Sequence, residues 1–166
     1  MKINWPWSRP KDNYWLLLFS IAMVQVVGII GSLFTIDAIP TWYAYLNKPF
    51  FNPPSYVFGP VWTILYILIG ISAYLIWRRH QFGKKARAFW HVYATQLVLN
   101  ALWSIIFFGF KQPGLAFIEI LAMWYFIVRT IQEGHKIERW SAYLLYPYLG
   151  WVSFASLLNL SIWLLN

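Results

Sequence analysis

Three sets of side chains have the spacing to build a site for a flat, uncharged guest. Gln96, Asn100, Trp103 and Phe107 follow one another at steps of four, three and four, which puts them on one helical face. Trp62 and Tyr66 share a face at i, i+4, and Trp151, Ala155 and Asn159 share another at i, i+4, i+8. Indoles and phenols stack on flat apolar molecules, and a small residue between an indole and an amide leaves room for one. Each set has a second reading. Gln96 and Asn100 also suit hydrogen bonds between helices, and Trp62 alone also suits a lipid-facing or interfacial position. Glu119 is the one acid deep within an apolar run, which makes it a functional candidate or a structural hydrogen-bonding group. His80, His91 and His135 do not form a metal-binding spacing, so no metal and no resident cofactor are expected. No HExxH, GxSxG or phosphate-binding loop is present. With no cysteine, thiol chemistry and disulfides are excluded.

The elements that position these residues are membrane spans. The chain has 166 residues, 60% hydrophobic and 11% charged, against about 25% charged in a soluble domain. Most of its exterior must therefore face lipid. Five apolar stretches approach or exceed the ~20 residues a helix needs to cross a hydrocarbon core. They give an all-α integral membrane protein, a single five-helix transmembrane domain over 1–166 with spans at about 12–34, 55–78, 87–109, 113–131 and 139–165. The fourth has the shortest uninterrupted apolar run. The connectors are short except 35–54, which is rich in aromatic residues and holds Pro40, Pro49 and Pro53-Pro54. A loop of that length is functional or disordered, and its aromatics favour an ordered lid. Pro147 is expected to kink the fifth span. Twelve tryptophans and eleven tyrosines exceed what interfacial belts take up, so some must lie inside the bundle.

The net charge of +8 reads as a topology signal rather than a nucleic-acid surface. With five spans, Lys2, Arg9, Lys11, Arg78, Arg79, Lys84, Lys85, Arg87, Arg129, Lys136 and Arg139 fall on one side, and Lys48 and Lys111 on the other. The positive-inside rule places the N-terminus in the cytoplasm and the C-terminus outside. The first apolar run is longer than a signal-peptide core and lacks a clear cleavage site, so it reads as an uncleaved span. Gly28 and Ser32 form a small-residue pair that permits close helix approach within or between protomers.

Further residues carry a resemblance. Trp42-Tyr43, Leu46-Asn47-Lys48-Pro49-Phe50 and Pro53-Pro54 are followed by Phe58-Gly59-Pro60-Val61-Trp62-Thr63. Then come Gln96-Leu97-Val98-Leu99-Asn100-Ala101-Leu102-Trp103-Ser104 with Phe107-Phe108, and Leu144-Leu145-Tyr146-Pro147-Tyr148-Leu149-Gly150-Trp151 with Phe154-Ala155 and Leu158-Asn159. In order and spacing, over about residues 12–166, the chain resembles the translocator protein family, also called the peripheral-type benzodiazepine receptor or tryptophan-rich sensory protein family. The resemblance implies a receptor-like or sensor-like membrane protein, often a homodimer, in a bacterial cell membrane. It implies an intra-bundle pocket for tetrapyrroles such as porphyrins and haem precursors, or other flat apolar ligands. Carried over residue by residue, that pocket takes Trp42, Tyr43, Trp62, Tyr66, Asn100, Trp103, Tyr148, Trp151 and Ala155, and the helical face adds Phe107. Two further functions follow from the resemblance: light-dependent protoporphyrin degradation, with Trp62 and Trp151 as its redox residues, and transport of porphyrins or sterols. The chain departs from the family where Tyr66 and Trp103 replace phenylalanines of some members and Glu119 replaces a common aspartate. The animal C-terminal sterol motif is absent, because no basic residue follows Arg139.

Overall fold

The computed structural model describes residues 13–80 and 82–166. It is all-α among the described residues, and five helical segments are long and apolar enough to cross a membrane: Tyr14–Thr35, Ser55–His80, Lys84–Gly109, Pro113–Ile137 and Arg139–Leu165. The chain is a multi-pass membrane protein. Lys2, Arg9, Lys11 and the expected start of the first span at residue 12 lie outside the described residues.

Helix α1 (Tyr14–Thr35) begins at Asn13, whose side chain accepts from the Leu16 N–H at 3.2 Å. Apart from Val24 and Gly31 its residues are at least partly exposed, as expected of a helix that presents apolar side chains to lipid. Helix α2 (Phe58–His80) follows a 3-10 turn over Ser55–Val57. Pro60 falls in its first turn, where a missing N–H leaves no acceptor unpaired. Helix α3 (Arg87–Ser104) does not stop at its last α-helical residue but widens into a π-helical turn over Ile105–Gly109. Lys111 then reverses the chain with φ 55°. Helix α4 (Pro113–Ile137) starts on a proline and runs six residues beyond the expected 131.

The fifth span is interrupted. Short α5 (Arg139–Tyr143) is capped by Glu138, turns through Leu144 and Leu145, and resumes as α6 (Tyr146–Leu165). Pro147 therefore produces no kink within a continuous helix. It lies in the first turn of α6, because the break precedes it and relieves the hydrogen bond it cannot make. Glu138 also accepts from Arg79 Nε at 2.6 Å, and Ser72 and Ser141 share a buried hydrogen bond of 2.8 Å, so α5 is pinned to α2.

Helix α1 packs against α2 and α3, α4 packs against α3 and α6, and α2 completes the ring through α5 and α6. Among the described cations, Arg78, Arg79, Lys84, Lys85, Arg87, Arg129, Lys136 and Arg139 sit at or toward one end of the helices, and Lys48 and Lys111 lie in the connectors at the other. The aromatic space opens toward the second, sparsely charged end.

Candidate functional site

Gly28 is the key to how α1 meets the rest of the site. A Cβ built there would lie 2.7 Å from Tyr66 Cδ2, so only glycine lets the Tyr66 ring lie against the α1 backbone. Gly28, Gly31, Ser32 and Thr35 repeat at i, i+3, i+4 and i+7 and give α1 one small-residue face. That face closes a cavity of about 490 Å³ together with α2, the α3 π turn, α6 and the loop after α1. Its other walls are mainly aromatic and aliphatic: Phe58, Trp62 and Tyr66 from α2; Trp103, Phe107 and Phe108 from α3 and the π turn; Trp151, Ala155 and Leu158 from α6; and Tyr43 from the loop. Among the described residues, no Asp, Glu, Lys, Arg or His lines it.

The rings are ordered by one another. Trp62 stacks on Tyr66 with centroids 5.4 Å apart, and Trp103 stacks on Phe107 at 5.2 Å. Phe107 and Phe108 meet edge to face at 4.8 Å. On a regular α-helix neighbouring residues point about 100° apart; the wider π turn brings both phenylalanines to the cavity wall. Trp103 is fixed by its Nε1–H, which donates to Asn159 Oδ1 at 3.0 Å, and Asn159 Nδ2 donates to Pro113 O at 2.8 Å. Trp151 packs edge-on against Phe58 at 6.0 Å, and its Nε1–H is buried without an acceptor.

Seven of the ten residues expected at a ligand site line this cavity: Tyr43, Trp62, Tyr66, Trp103, Phe107, Trp151 and Ala155. The other three stand behind or beside it. Asn100 accepts from the Tyr66 hydroxyl at 2.7 Å and donates to the Tyr148 hydroxyl at 3.0 Å, so this amide bridges helices. Tyr148 is fully buried, donates to Gln96 Oε1 at 2.9 Å and backs Trp62 edge to face. Trp42 meets Phe107 edge-on at 5.6 Å and lines a separate depression with Lys111, Pro113 and Trp163. Sequence reasoning missed the whole α1 wall. The spacing of Gly28, Gly31, Ser32 and Thr35 was the available signal.

The loop over the cavity is held by polar contacts. Tyr43 is buried, donates to Asn52 Oδ1 at 2.7 Å and carries the Lys48 ammonium 5.1 Å from its ring centre. Lys48 donates to Ala44 O and Leu46 O. The Asn47 N–H donates to Asn166 Oδ1 at 2.9 Å, and Asn166 Nδ2 returns a bond to Asn47 O at 3.0 Å. Burial pushes the Tyr43 phenol up to about 12, with the Asn52 bond partly offsetting it. A phenol that holds its proton more tightly folded than unfolded stabilises the loop fully below the ordinary value near 10, and loses that stabilisation as pH rises through about 12. Alkaline spectrophotometric titration should therefore show one high-pH phenolate step that Tyr43→Phe removes. A difference spectrum near pH 10 would contradict the burial.

The profile of the TspO/MBR family matches residues 20–164. The chain is 42% identical over 160 residues to a tryptophan-rich protein TspO of Archaeoglobus fulgidus, covering 93% of this chain and 99% of that one. It is 38% identical over 151 residues to a tryptophan-rich sensory protein of Cereibacter sphaeroides, covering 91% of each. It is 36% identical over 151 residues to a human translocator protein, covering 90% of this chain and 89% of that one.

Proposed function

Because this chain belongs to the TspO/MBR family, we propose that its aromatic cavity is a receptor site for tetrapyrroles, porphyrins and haem precursors foremost, and for related flat apolar molecules. The observation that carries this reading is a cavity of about 490 Å³ walled by Trp62, Tyr66, Trp103, Phe107 and Trp151, with no charged side chain among the described residues that line it. Its size falls among small-molecule sites, which run from about 300 to 1,000 Å³. Ring contacts give roughly 0.5–1.5 kcal/mol each beyond burial, so four or five of them support micromolar affinity. The loop 35–54 is the lid, with Tyr43 as its inner face. In this reading the N-terminus is cytoplasmic, the membrane is a bacterial cell membrane, and the resemblance to the family supports a homodimer.

Titration with protoporphyrin in the dark should quench tryptophan fluorescence saturably. Trp151→Ala should weaken the affinity about ten-fold, since it removes an indole from the wall at ~1.4 kcal/mol per decade. Wild-type affinity in that variant, or non-saturable quenching, would refute the cavity as the site.

A second reading is favoured by one observation: Trp62 and Trp151, the two candidate redox indoles, both line the same cavity. In light, an excited porphyrin held there can take an electron from an indole, with dioxygen as the terminal oxidant. Illumination of the same sample separates the two. Loss of porphyrin absorbance that disappears when both residues are phenylalanine supports photo-oxidation; loss that persists in that double variant removes it.

A further inference from the structure

A chain of hydrogen bonds leads inward from the cavity wall and ends on a buried amide, Gln96. Tyr66 lines the cavity with its ring and donates its O–H to Asn100 Oδ1 at 2.7 Å. Asn100 Nδ2 donates to the Tyr148 oxygen at 3.0 Å, and Tyr148 donates to Gln96 Oε1 at 2.9 Å. Every donor points the same way, away from the cavity. At the far end Gln96 Nε2 is buried with no acceptor, and both carboxyl oxygens of Glu119 are buried with no donor. Gln96 is 1% exposed and Glu119 7%. Glu119 lies close enough to Tyr148 to interact with it electrostatically. An amide with spare hydrogens and a carboxyl with spare lone pairs are complementary ends, which a side-chain rotation or one bridging water would join.

Such a chain has two directions. Its links are two primary amides and two hydroxyls, and each of these can exchange donor for acceptor by turning over in place. In the direction observed, the chain ends on Gln96 with its N–H groups unpaired, and an N–H end suits an ionised carboxylate. In the reverse direction Glu119 donates its O–H to Gln96 Oε1, Gln96 donates to Tyr148, Tyr148 donates to Asn100, and Asn100 donates to Tyr66. The Tyr66 O–H is then released toward the cavity.

We infer that Glu119 is a proton-binding site coupled to the cavity through Gln96, Tyr148, Asn100 and Tyr66, so that its proton decides whether Tyr66 offers a guest a hydrogen-bond donor. The inference rests on the cavity being the ligand site. Binding one proton at Glu119 adds a bond from Glu119 to Gln96 and reverses the three observed bonds without moving a helix, and loss of that proton restores the observed direction. Among the described titratable groups Tyr148 of α6 interacts with Glu119, and Tyr148 in turn interacts with Tyr93 of α3 and Tyr66 of α2. The π turn carries none, and the ion pairs among the described residues leave Glu119 out. On α4 itself Arg129 is ten residues away, roughly 15 Å along the axis, and is engaged by Glu133. Arg139 and Tyr143 of α5 are farther along the chain, at the opposite end of α4. Among the described residues no cation is paired with Glu119, so none holds it permanently ionised.

Infrared difference spectroscopy tests the coupling without a ligand. The carboxylic-acid band that Glu119→Gln removes should shift in Tyr66→Phe and in Tyr148→Phe, two variants that keep the rings and delete one link each. No such band at any pH between 5 and 9, or a band unmoved by Tyr66→Phe, overturns the inference. A second arm uses mesoporphyrin dimethyl ester, which has no carboxylate of its own. Its affinity should change several-fold with pH in the wild type. That dependence should vanish in Glu119→Gln and in Tyr66→Phe, and the double variant should add nothing further. A shifting band with no ester binding would sink the ligand site and leave the relay standing. Ester binding that keeps its pH dependence in Glu119→Gln would sink the relay and leave the ligand site.

Discussion

Gly70→Leu is expected to destabilise the bundle by about 3 kcal/mol, the upper part of the usual overpacking range. A Cβ at position 70 would lie 2.6 Å from Ile21 Cα and 3.0 Å from Ile21 N. Those are backbone atoms of α1, and no rotamer change can clear them. Accommodating leucine means pushing α1 away from α2, which also breaks the bond from Ser20 Oγ to Gly70 O at 2.8 Å. In lipid, helices associate through close packing more than through apolar burial, so a lost approach is not recovered by hydrophobic contact elsewhere. Gly59→Ala and Gly150→Ala are the matched controls, because a Cβ at either position meets nothing within 4 Å. Denaturant unfolding in detergent should separate Gly70→Leu from both controls. A Gly70→Leu variant that unfolds with the wild type would show that α1 is not held at this contact.

The helices were legible in the sequence because lipid imposes a simple rule: about 20 apolar residues with few charges. Their interruptions were less so. Pro147 signals a disturbance in the fifth span, but its position relative to the break follows from Glu138 and Arg79, which anchor α5 to α2; a one-dimensional pattern does not show that tie. The end of α4 at Ile137 was also hidden. Hydropathy falls at Arg129, yet Arg129 and Lys136 both reach Glu133, at 3.7 and 2.7 Å, and these i, i+4 and i, i+3 pairs help carry the helix beyond the apolar run. The π turn has no sequence signal that we recognise.

The site divides along the same line. Tyr66, Trp103, Phe107, Trp151 and Ala155 were readable because amides and indoles at helical spacing identify inward faces. Asn100 and Tyr148 share those faces but their polar atoms are occupied by one another, so they support the wall from behind. Alpha-helical periodicity does not distinguish a lining residue from one a layer deeper. The part of the wall that α1 supplies was missed for the opposite reason. That helix is apolar around most of its circumference, and the informative positions are those with almost no side chain.

Ala155→Trp is the expected loss of function that most directly tests where a guest sits. Ala155 lies on the cavity wall one turn from both Trp151 and Asn159. Ala155 is buried but borders the cavity, so an added indole has empty volume beside it and the folding cost should stay within the ~1–3 kcal/mol of overpacking. The indole would nevertheless occupy a substantial part of about 490 Å³, where a flat macrocycle would otherwise lie against Trp151. Porphyrin affinity should fall about 100-fold, ~2.8 kcal/mol at 1.4 kcal/mol per decade. Ala155→Ser should bind nearly as the wild type, and Ala122→Trp, on an exposed face of α4, should show that an added indole alone does not change the signal. Fluorescence alone is ambiguous here because the variant adds an emitter; porphyrin absorbance in a detergent-matched equilibrium dialysis avoids this. Wild-type binding by Ala155→Trp would move the guest out of the cavity. The depression between Trp42, Lys111 and Trp163 would then be the place to look, with Trp163→Ala in place of Trp151→Ala as the decisive substitution.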